Sequence, residues 1–384
     1  MISNPTKTER LLETLIAFAT LSRESNLDLI DFVADYLSRH NVVATRVFSE
    51  VGTQANLHAI IGPADIPGVM LSGHTDVVPV AGQDWTSDPF EMRVAGDKLT
   101  GRGSADMKGF IASVLAAVPE MVKADLKRPI HLAFSYDEEV GCIGVRRLID
   151  MLQDVTPKPA FCIIGEPTGM RVATAHKGKV SGEIICTGKA GHSSLPAEGV
   201  NAIYLAGEML GALRELQAEI IEETIPDTDY LTPYSSVHAG IIKGGVALNV
   251  IPDECRITFE IRQRPEDDPE KLLDRLREKA AHIVDHWGHP DAGIEIRIAT
   301  NYPAFSTPLD HEAVRFVTGL TGDNDLRKLD FGTEAGLFQR DLGVSGVVCG
   351  PGDIAQAHKA DEFVTRDQLG KCDLFLEKLI AALS

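Results

Sequence analysis

The chain is predicted to be an α/β protein of two units, one built from both ends of the sequence and one inserted between them. At 384 residues it is longer than a single small core requires, so two domains are the default expectation. Apolar strand-like runs alternate with amphipathic helical stretches as far as Gly178, and the alternation resumes after Pro303, which is the order of a sheet covered on both faces. Between these segments the order becomes β-α-β-β-α-β, the split βαβ or ferredoxin-like pattern, which can form a domain alone.

Each element has a local reason. Amphipathic helices are expected near residues 7–20 and 26–40, with Leu11, Leu15 and Phe18 along one apolar stripe. Strands follow at NVVATRVF, NLHAIIG and GVMLSGH. A helix near 107–122, the strand PIHLAFSY, a helix near 142–152 and the strand AFCIIGE complete the first set. In the insert, KVSGEIICTGK, SSVHAGIIKGG, ECRITFEIRQ and IEIRIATNY read as strands. GVNAIYLAGEMLGALRELQAEI and DPEKLLDRLREKAAHIVDHW read as helices, the second with Asp268 as N-cap before Pro269. The core domain is therefore expected over 1–178 and 301–384, with the insert over 179–300.

Composition narrows the function classes. A formal net charge of −19 argues against nucleic acid or an anionic membrane as partner. No apolar run reaches membrane-spanning length, and the start MISNPTKTERLLETLIAF lacks the layout of a signal peptide, so a cytoplasmic location is expected. Cysteines at 142, 162, 186, 255, 349 and 372 stand singly, most of them in apolar runs, and read as buried reduced thiols.

The chemistry is concentrated at the ends of the strand-like runs. His74 and Asp76 lie in LSGHTDVV, Asp106 in GRGSADMKG, Glu138 and Glu139 in FSYDEEVG, Glu166 in CIIGEPT and His358 in GPGDIAQAHKADEF. In an open α/β sheet such positions line the carboxyl edge, where ligands bind. Taken singly, each has a plain structural reading. His74 could be a hydrogen-bonded core histidine, Asp106 a turn former, Glu166 a turn residue and His358 a solvated loop histidine. Adjacent carboxylates at a strand end repel, however, and a cation is a natural reason to keep both ionised. Imidazoles and carboxylates without thiolates suit zinc or a similar divalent ion, and two imidazoles with four carboxylates, Asp76 aside, exceed what one ion needs.

These motifs, in this order around the insert, resemble the dinuclear zinc amidohydrolases. That family includes aminoacylases, glutamate carboxypeptidases, succinyl-diaminopimelate desuccinylases and acetylornithine deacetylases. The resemblance implies a mixed-sheet metallopeptidase catalytic domain with an inserted lid and dimerisation domain, active as a homodimer. It also implies two divalent ions, zinc with cobalt possible. His74 and Glu166 would hold one ion, Glu139 and His358 the other, and Asp106 would bridge them. Asp76 would be the partner of His74, Glu138 the general base and acid, and the Asp106–Met107 peptide cis. His192 in GHSSLPAEGVNA would cross the dimer interface and stabilise an oxyanion; its plain reading is a turn residue.

The substrate implied is a small N-acyl amino acid. Asn249 in ALNVIPDE and Arg262 in FEIRQRP match family positions that hold it, with Arg262 clamping an α-carboxylate unless it is an ordinary surface arginine. LDFGTEAG, with Thr333, Glu334 and Ala335, resembles the acetylornithine deacetylase branch, though Gly336 stands where enterobacterial members have proline. The implied reaction cleaves N2-acetyl-L-ornithine to ornithine and acetate, a step of arginine biosynthesis. Glu334 is expected either to read the substrate's ammonium or merely to cap a helix. The alternatives are a deacylase for N-acetylcitrulline, another N-acyl amino acid or N-succinyl-diaminopimelate, and a metal-free binding homologue.

Overall fold

The computed structural model describes residues 4–384. The chain divides into two compact units. One comprises residues up to Ala175 with Ser306–Arg327 and Thr333–Ser384; the other comprises His176–Phe305 with Lys328–Gly332.

The first unit is organised by a mixed sheet. Its strands run in the order Ala44–Phe48, Ala55–Ile61, Ile130–Ser135, Val69–His74, Phe161–Pro167, Gly346–Gly350 and Ala173–His176. The middle four are mutually parallel, and antiparallel strands flank them. Those four are buried along their whole length, which is why they read as continuous apolar runs rather than as alternation. The helix Lys108–Lys123 packs on the sheet and against helices Lys7–Ile16 and Arg366–Leu383, burying Phe110, Ile111, Val114, Leu115, Val118 and Met121. Gly165 permits that contact, since a Cβ there would lie 2.1 Å from the Phe110 ring. Because the central strands are parallel, all their carboxyl ends open onto one edge of the sheet.

The second unit follows the βαββαβ order. Strands Lys179–Thr187, Ser236–Gly244, Glu254–Arg262 and Gly293–Tyr302 form an antiparallel sheet in the spatial order second, third, first, fourth. Helices Ala202–Glu223 and Pro269–Trp287 bury Leu205, Met209, Leu216, Leu273 and Leu276 against Ile184, Ile257, Phe259 and Ile261. Asp268 caps the latter helix, accepting a hydrogen bond from the Glu270 N–H.

Two expectations shift. The second unit starts at His176, ends at Phe305 and includes 328–332, where limits of 179 and 300 were expected. The cause is Lys177, a buried cation whose ammonium donates to the carbonyls of Thr232 (2.7 Å) and Tyr234 (3.0 Å) and pairs with Asp330 (2.8 Å). The first helix stops at Ile16 rather than near residue 20, because Thr20 and Ser22 are drawn into hydrogen bonds with Thr75 and Val77. All six cysteines are free and buried. Among the described residues no helix is long and apolar enough to cross a membrane.

Candidate metal centre

Every ligand proposed from the sequence arrives at the carboxyl edge of the central strands, within the first unit. His74 ends the strand Val69–His74, and Glu138 and Glu139 follow Ile130–Ser135. Glu166 lies on Phe161–Pro167, Asp106 lies two residues before the helix Lys108–Lys123, and His358 follows Gly346–Gly350. Asp106 stands between the imidazoles, with Oδ1 3.0 Å from His74 Nε2 and Oδ2 3.2 Å from His358 Nε2. Glu166 lies 3.7 Å from His74 Nε2, and Glu139 lies 3.0 Å from His358 Nε2. Two groups of possible metal ligands emerge, His74 with Asp106 and Glu139, and His74 with Glu138 and Glu166. His74, Asp106, Glu138 and Glu166 are buried, whereas His358 is half exposed at the mouth.

The protonation chemistry suits a cation. Burial disfavours a charged His74, yet the hydrogen bond to Asp106 and the fields of Glu166, Asp106 and Asp76 push it well above its ordinary range. Burial opposes the charge on Asp106 too, but hydrogen bonds from His358 and His74 hold its carboxyl well below normal. The other carboxyls go the opposite way. Burial pushes Glu139 up to about 7, helped by Asp106, and raises Glu166 and Glu138 well above the carboxylate range. Without a cation, protons must gather among these groups. Divalent ions would supply the missing positive charge, and the oxygen-and-imidazole donor set suits such ions.

The groups behind the ligands are also resolved. His74 Nδ1 meets the backbone carbonyl of Asp76 at 2.9 Å. A carbonyl only accepts, so Nδ1 carries the proton and Nε2 is left as the ligand atom. The Asp76 carboxylate is farther from that ring, at 3.6 Å, and its hydrogen bonds run elsewhere. It accepts from the Glu138 N–H (3.0 Å), the Ser22 hydroxyl (2.8 Å) and, at 3.4 Å, the Glu139 N–H. Asp76 thus orients the glutamate pair more directly than it orients His74, a link absent from the sequence expectation. Cys142, read as an inert core thiol, donates from Sγ to Glu138 Oε1 at 3.3 Å. The Asp106–Met107 peptide is cis.

The Thr333–Glu334 motif lies deep in the first unit. Thr333 and Glu334 are 0% and 1% exposed, and Glu334 Oε2 accepts from the hydroxyl of Ser72, in the middle of the strand that ends at His74. The carboxyl is buried beside the cluster, near enough for its field to help raise Glu138. Its side chain does not cap the following helix; the hydroxyl of Thr333 accepts from the Ala335 N–H instead.

The remaining candidates lie in the second unit. His192 and Asn249 stand close together, through the pairing of Gly191–His192 with Val250–Ile251 and the Ser193 N–H bond to the Asn249 carbonyl (3.2 Å). Both are exposed. His192 Nδ1 accepts from the Ser194 N–H at 3.1 Å and faces the Ser194 hydroxyl at 2.7 Å. The neutral ring therefore carries its proton on Nε2 and presents it outward as a donor. Arg262 ends the strand Glu254–Arg262, and its Nε donates to Glu260 at 2.9 Å, so one edge of the guanidinium is already occupied.

Comparison with known proteins agrees with this geometry. Residues 70–382 match the description of peptidase family M20/M25/M40. The acetylornithine deacetylase of Photorhabdus laumondii is 33% identical over 377 residues, covering 96% of this chain and 95% of that protein. The M20 metallo-carboxypeptidase Sso-CP2 of Sulfolobus solfataricus superposes with a TM-score of 0.81 at 17% identity, covering 98% and 99% of the two chains. The YXEP protein of Bacillus subtilis, a dinuclear metal-binding peptidase, gives 0.68 at 17% identity and covers 98% of each chain. With its ligands gathered at one sheet edge and the family match spanning most of its length, the chain belongs to peptidase family M20/M25/M40.

Proposed function

We propose that this protein is a metal-dependent hydrolase that cleaves the acetyl amide of N2-acetyl-L-ornithine, giving L-ornithine and acetate. The observation that carries the reaction class is the buried cluster in which Asp106 lies between His74 and His358, with three further carboxyls around it. The substrate follows from the acetylornithine deacetylases matched over nearly the whole chain. The proposed site is cytoplasmic.

His74 and Glu166 would hold one divalent ion, His358 and Glu139 the second, with Asp106 between. Zinc is the expected metal and cobalt a workable replacement. Such ions lower the pKa of water and polarise an acyl carbonyl. Glu138 takes the proton from the attacking water and delivers it to the departing nitrogen. The Cys142 thiol donates to Oε1, which leaves Oε2 the freer oxygen for that transfer. Asp76 fixes the backbone from which Glu138 projects. His192 offers Nε2–H to the oxyanion, Asn249 supports it, and Arg262 receives the substrate carboxylate.

His192 lies outside the segments that carry the metal ligands, and the proposed working form is a homodimer in which it acts in the partner's site. The edge strand Ser236–Gly244 exposes Ile241 and Ile242, and the next loop exposes Val246 and Leu248 almost completely. Ile203, near Gly245, and Tyr204 extend this apolar surface. An apolar sheet edge of this kind is suited to a second copy.

A panel of N-acyl amino acids assayed for amine release tests the substrate. N-acetylornithine should lead N-acetylcitrulline, other acetylamino acids and N-succinyl-diaminopimelate; a different leader replaces the substrate but keeps the reaction. Purified protein that holds no divalent metal and gains no activity with zinc or cobalt refutes the hydrolase reading in favour of a binding homologue. Mixing inactive His192→Ala with inactive Glu138→Ala should restore part of the activity through hybrid dimers. No recovery, with subunit exchange measured separately, rules out action across the interface.

A further inference from the structure

The segments that supply Asp106 and His358 are joined a second time, away from the ligand atoms. Arg102 lies four residues before Asp106, and Glu362 lies four residues after His358. Both are 1% exposed and form an ion pair at 2.7 Å. Pairing of Phe363–Thr365 with Lys98–Thr100 brings Glu362 opposite Gly101, whose N–H donates to the Glu362 carbonyl.

The Glu362 carboxylate is filled by donors from the Asp106 loop. Oε1 accepts from the N–H groups of Ala105 (2.9 Å) and Asp106 (3.0 Å), and Oε2 accepts from the Gly103 N–H (3.1 Å) and from Arg102. Arg102 then reaches the other segment. Its second amino group donates to the Gln83 side-chain oxygen, and Gln83 Nε2 donates to the backbone carbonyl of His358 at 3.1 Å. The guanidinium lies over the Trp85 ring, 5.0 Å from its centroid. His358 itself has φ +61 and Asp361 has φ +55, left-handed conformations unfavourable for side-chain-bearing residues unless their surroundings hold them. Thr86 ties Asp361 down, through bonds from its N–H (3.2 Å) and hydroxyl (3.0 Å) to the carboxylate.

We propose that Arg102, Glu362 and Gln83 form a clip that holds Asp106 and His358 at the separation two ions require, so that metal affinity depends on residues that touch no metal. The clip presupposes the metal reading of the centre. It demands a carboxylate at 362, because both oxygens face donors. Glutamine would turn its NH₂ either on the N–H groups of Ala105 and Asp106, or on the Gly103 N–H and the guanidinium.

The test is zinc titration of the metal-free protein against a competing chelator, with thermal unfolding of the metal-free form measured alongside. Glu362→Gln should weaken zinc binding about 10- to 100-fold, the usual effect of losing a group that orients ligands. Excess zinc should restore kcat, and a metal-free form still folded at the assay temperature separates weakened binding from a destabilised fold that zinc would also rescue. Gln83→Ala removes, from a partly exposed position, the bond to the His358 carbonyl and the acceptor for Arg102 and the Trp85 indole, while leaving the Arg102–Glu362 pair in place. It should weaken binding about two- to tenfold, the net worth of a neutral hydrogen bond, with the metal-free form still folded at the titration temperature. If Glu362→Gln fails to fold, Gln83→Ala decides alone. Zinc bound equally well by wild type and by every folded variant overturns the clip alone. No zinc on the wild type overturns the metal reading, and the clip with it.

Discussion

Replacing Asp76 with alanine should slow catalysis without removing any atom that reaches substrate or metal. The carboxylate accepts the Glu138 N–H at 3.0 Å and the Glu139 N–H at 3.4 Å, and Ser22 holds it from behind at 2.8 Å. The shorter backbone bond is the strong one. A hydrogen bond to a charged group is worth about 1.5–3 kcal/mol. If that energy serves to hold Glu138 where the proton must be taken, its loss corresponds to about a 10- to 150-fold fall in kcat. Substrate binding does not use this bond, so KM should move little. Asparagine separates geometry from charge. It can keep an oxygen toward Glu138 and turn its NH₂ to the Ser22 hydroxyl, which can accept, so Asp76→Asn should cost only about two- to tenfold, as for a neutral hydrogen bond. The assay is kcat and KM for amide hydrolysis, with zinc content measured on the same samples. Wild-type kcat in a fully loaded Asp76→Ala enzyme would refute the positioning role. Loss of the metal itself would instead make Asp76 chiefly a support for His74.

Glu138→Gln should keep its metal and lose about 10²–10⁴ in kcat, or more, because the amide cannot carry a proton. If it loses an ion instead, Glu138 is a ligand beside His74 and Glu166, and the general base must be sought elsewhere. Glu334→Gln should change kcat/KM equally for N-acetylornithine and the neutral N-acetylmethionine, within about threefold, since one oxygen still accepts from Ser72 and the buried side chain keeps its shape. A loss confined to the cationic substrate assigns Glu334 the specificity role instead. Acid should weaken the first unit through His58 and His131, buried with their ring nitrogens 3.2 Å apart. Burial holds each at about 4, with the field of His131 adding to the effect on His58, against an ordinary value near 6.5. Their folded values lie below the unfolded one, so the stabilisation is complete above about pH 6.5 and is lost as pH falls toward 4, about 2 kcal/mol per histidine by pH 5. Urea midpoints between pH 7 and 5 should therefore fall more steeply in wild type than in a variant with glutamine at both positions; equal slopes would remove the pair from the acid response.

What could be read from the sequence, and what could not, divides along physical lines. The parallel sheet was legible because its buried strands are unbroken apolar runs, and the insert because the order of elements changes there. The candidate ligands were legible because each closes such a run, and because Glu138 and Glu139 place like charges side by side at a strand end, an arrangement that invites a cation. The burial of Glu334 was not legible because depth is a tertiary property. A Thr-Glu-Ala at the start of a short helix gives no sign that the carboxyl turns inward beneath Ser72. Cys142 looked like any other single buried thiol, and only the turn after Glu138 brings it back to that carboxylate.

Arg102 and Glu362 were silent for a different reason. Metal ligands announce themselves by an excess of one charge that the protein alone leaves unbalanced. A positioning pair is balanced by construction: the cation and carboxylate cancel, and the remaining acceptor capacity is taken up by backbone N–H groups more than 250 residues away in sequence, at separations of 256 to 259. Neither residue type nor spacing records such partners. Buried charge whose neutralisation is complete within the protein has to be found in the structure, and at this centre it lies directly behind the one carboxylate that both imidazoles approach.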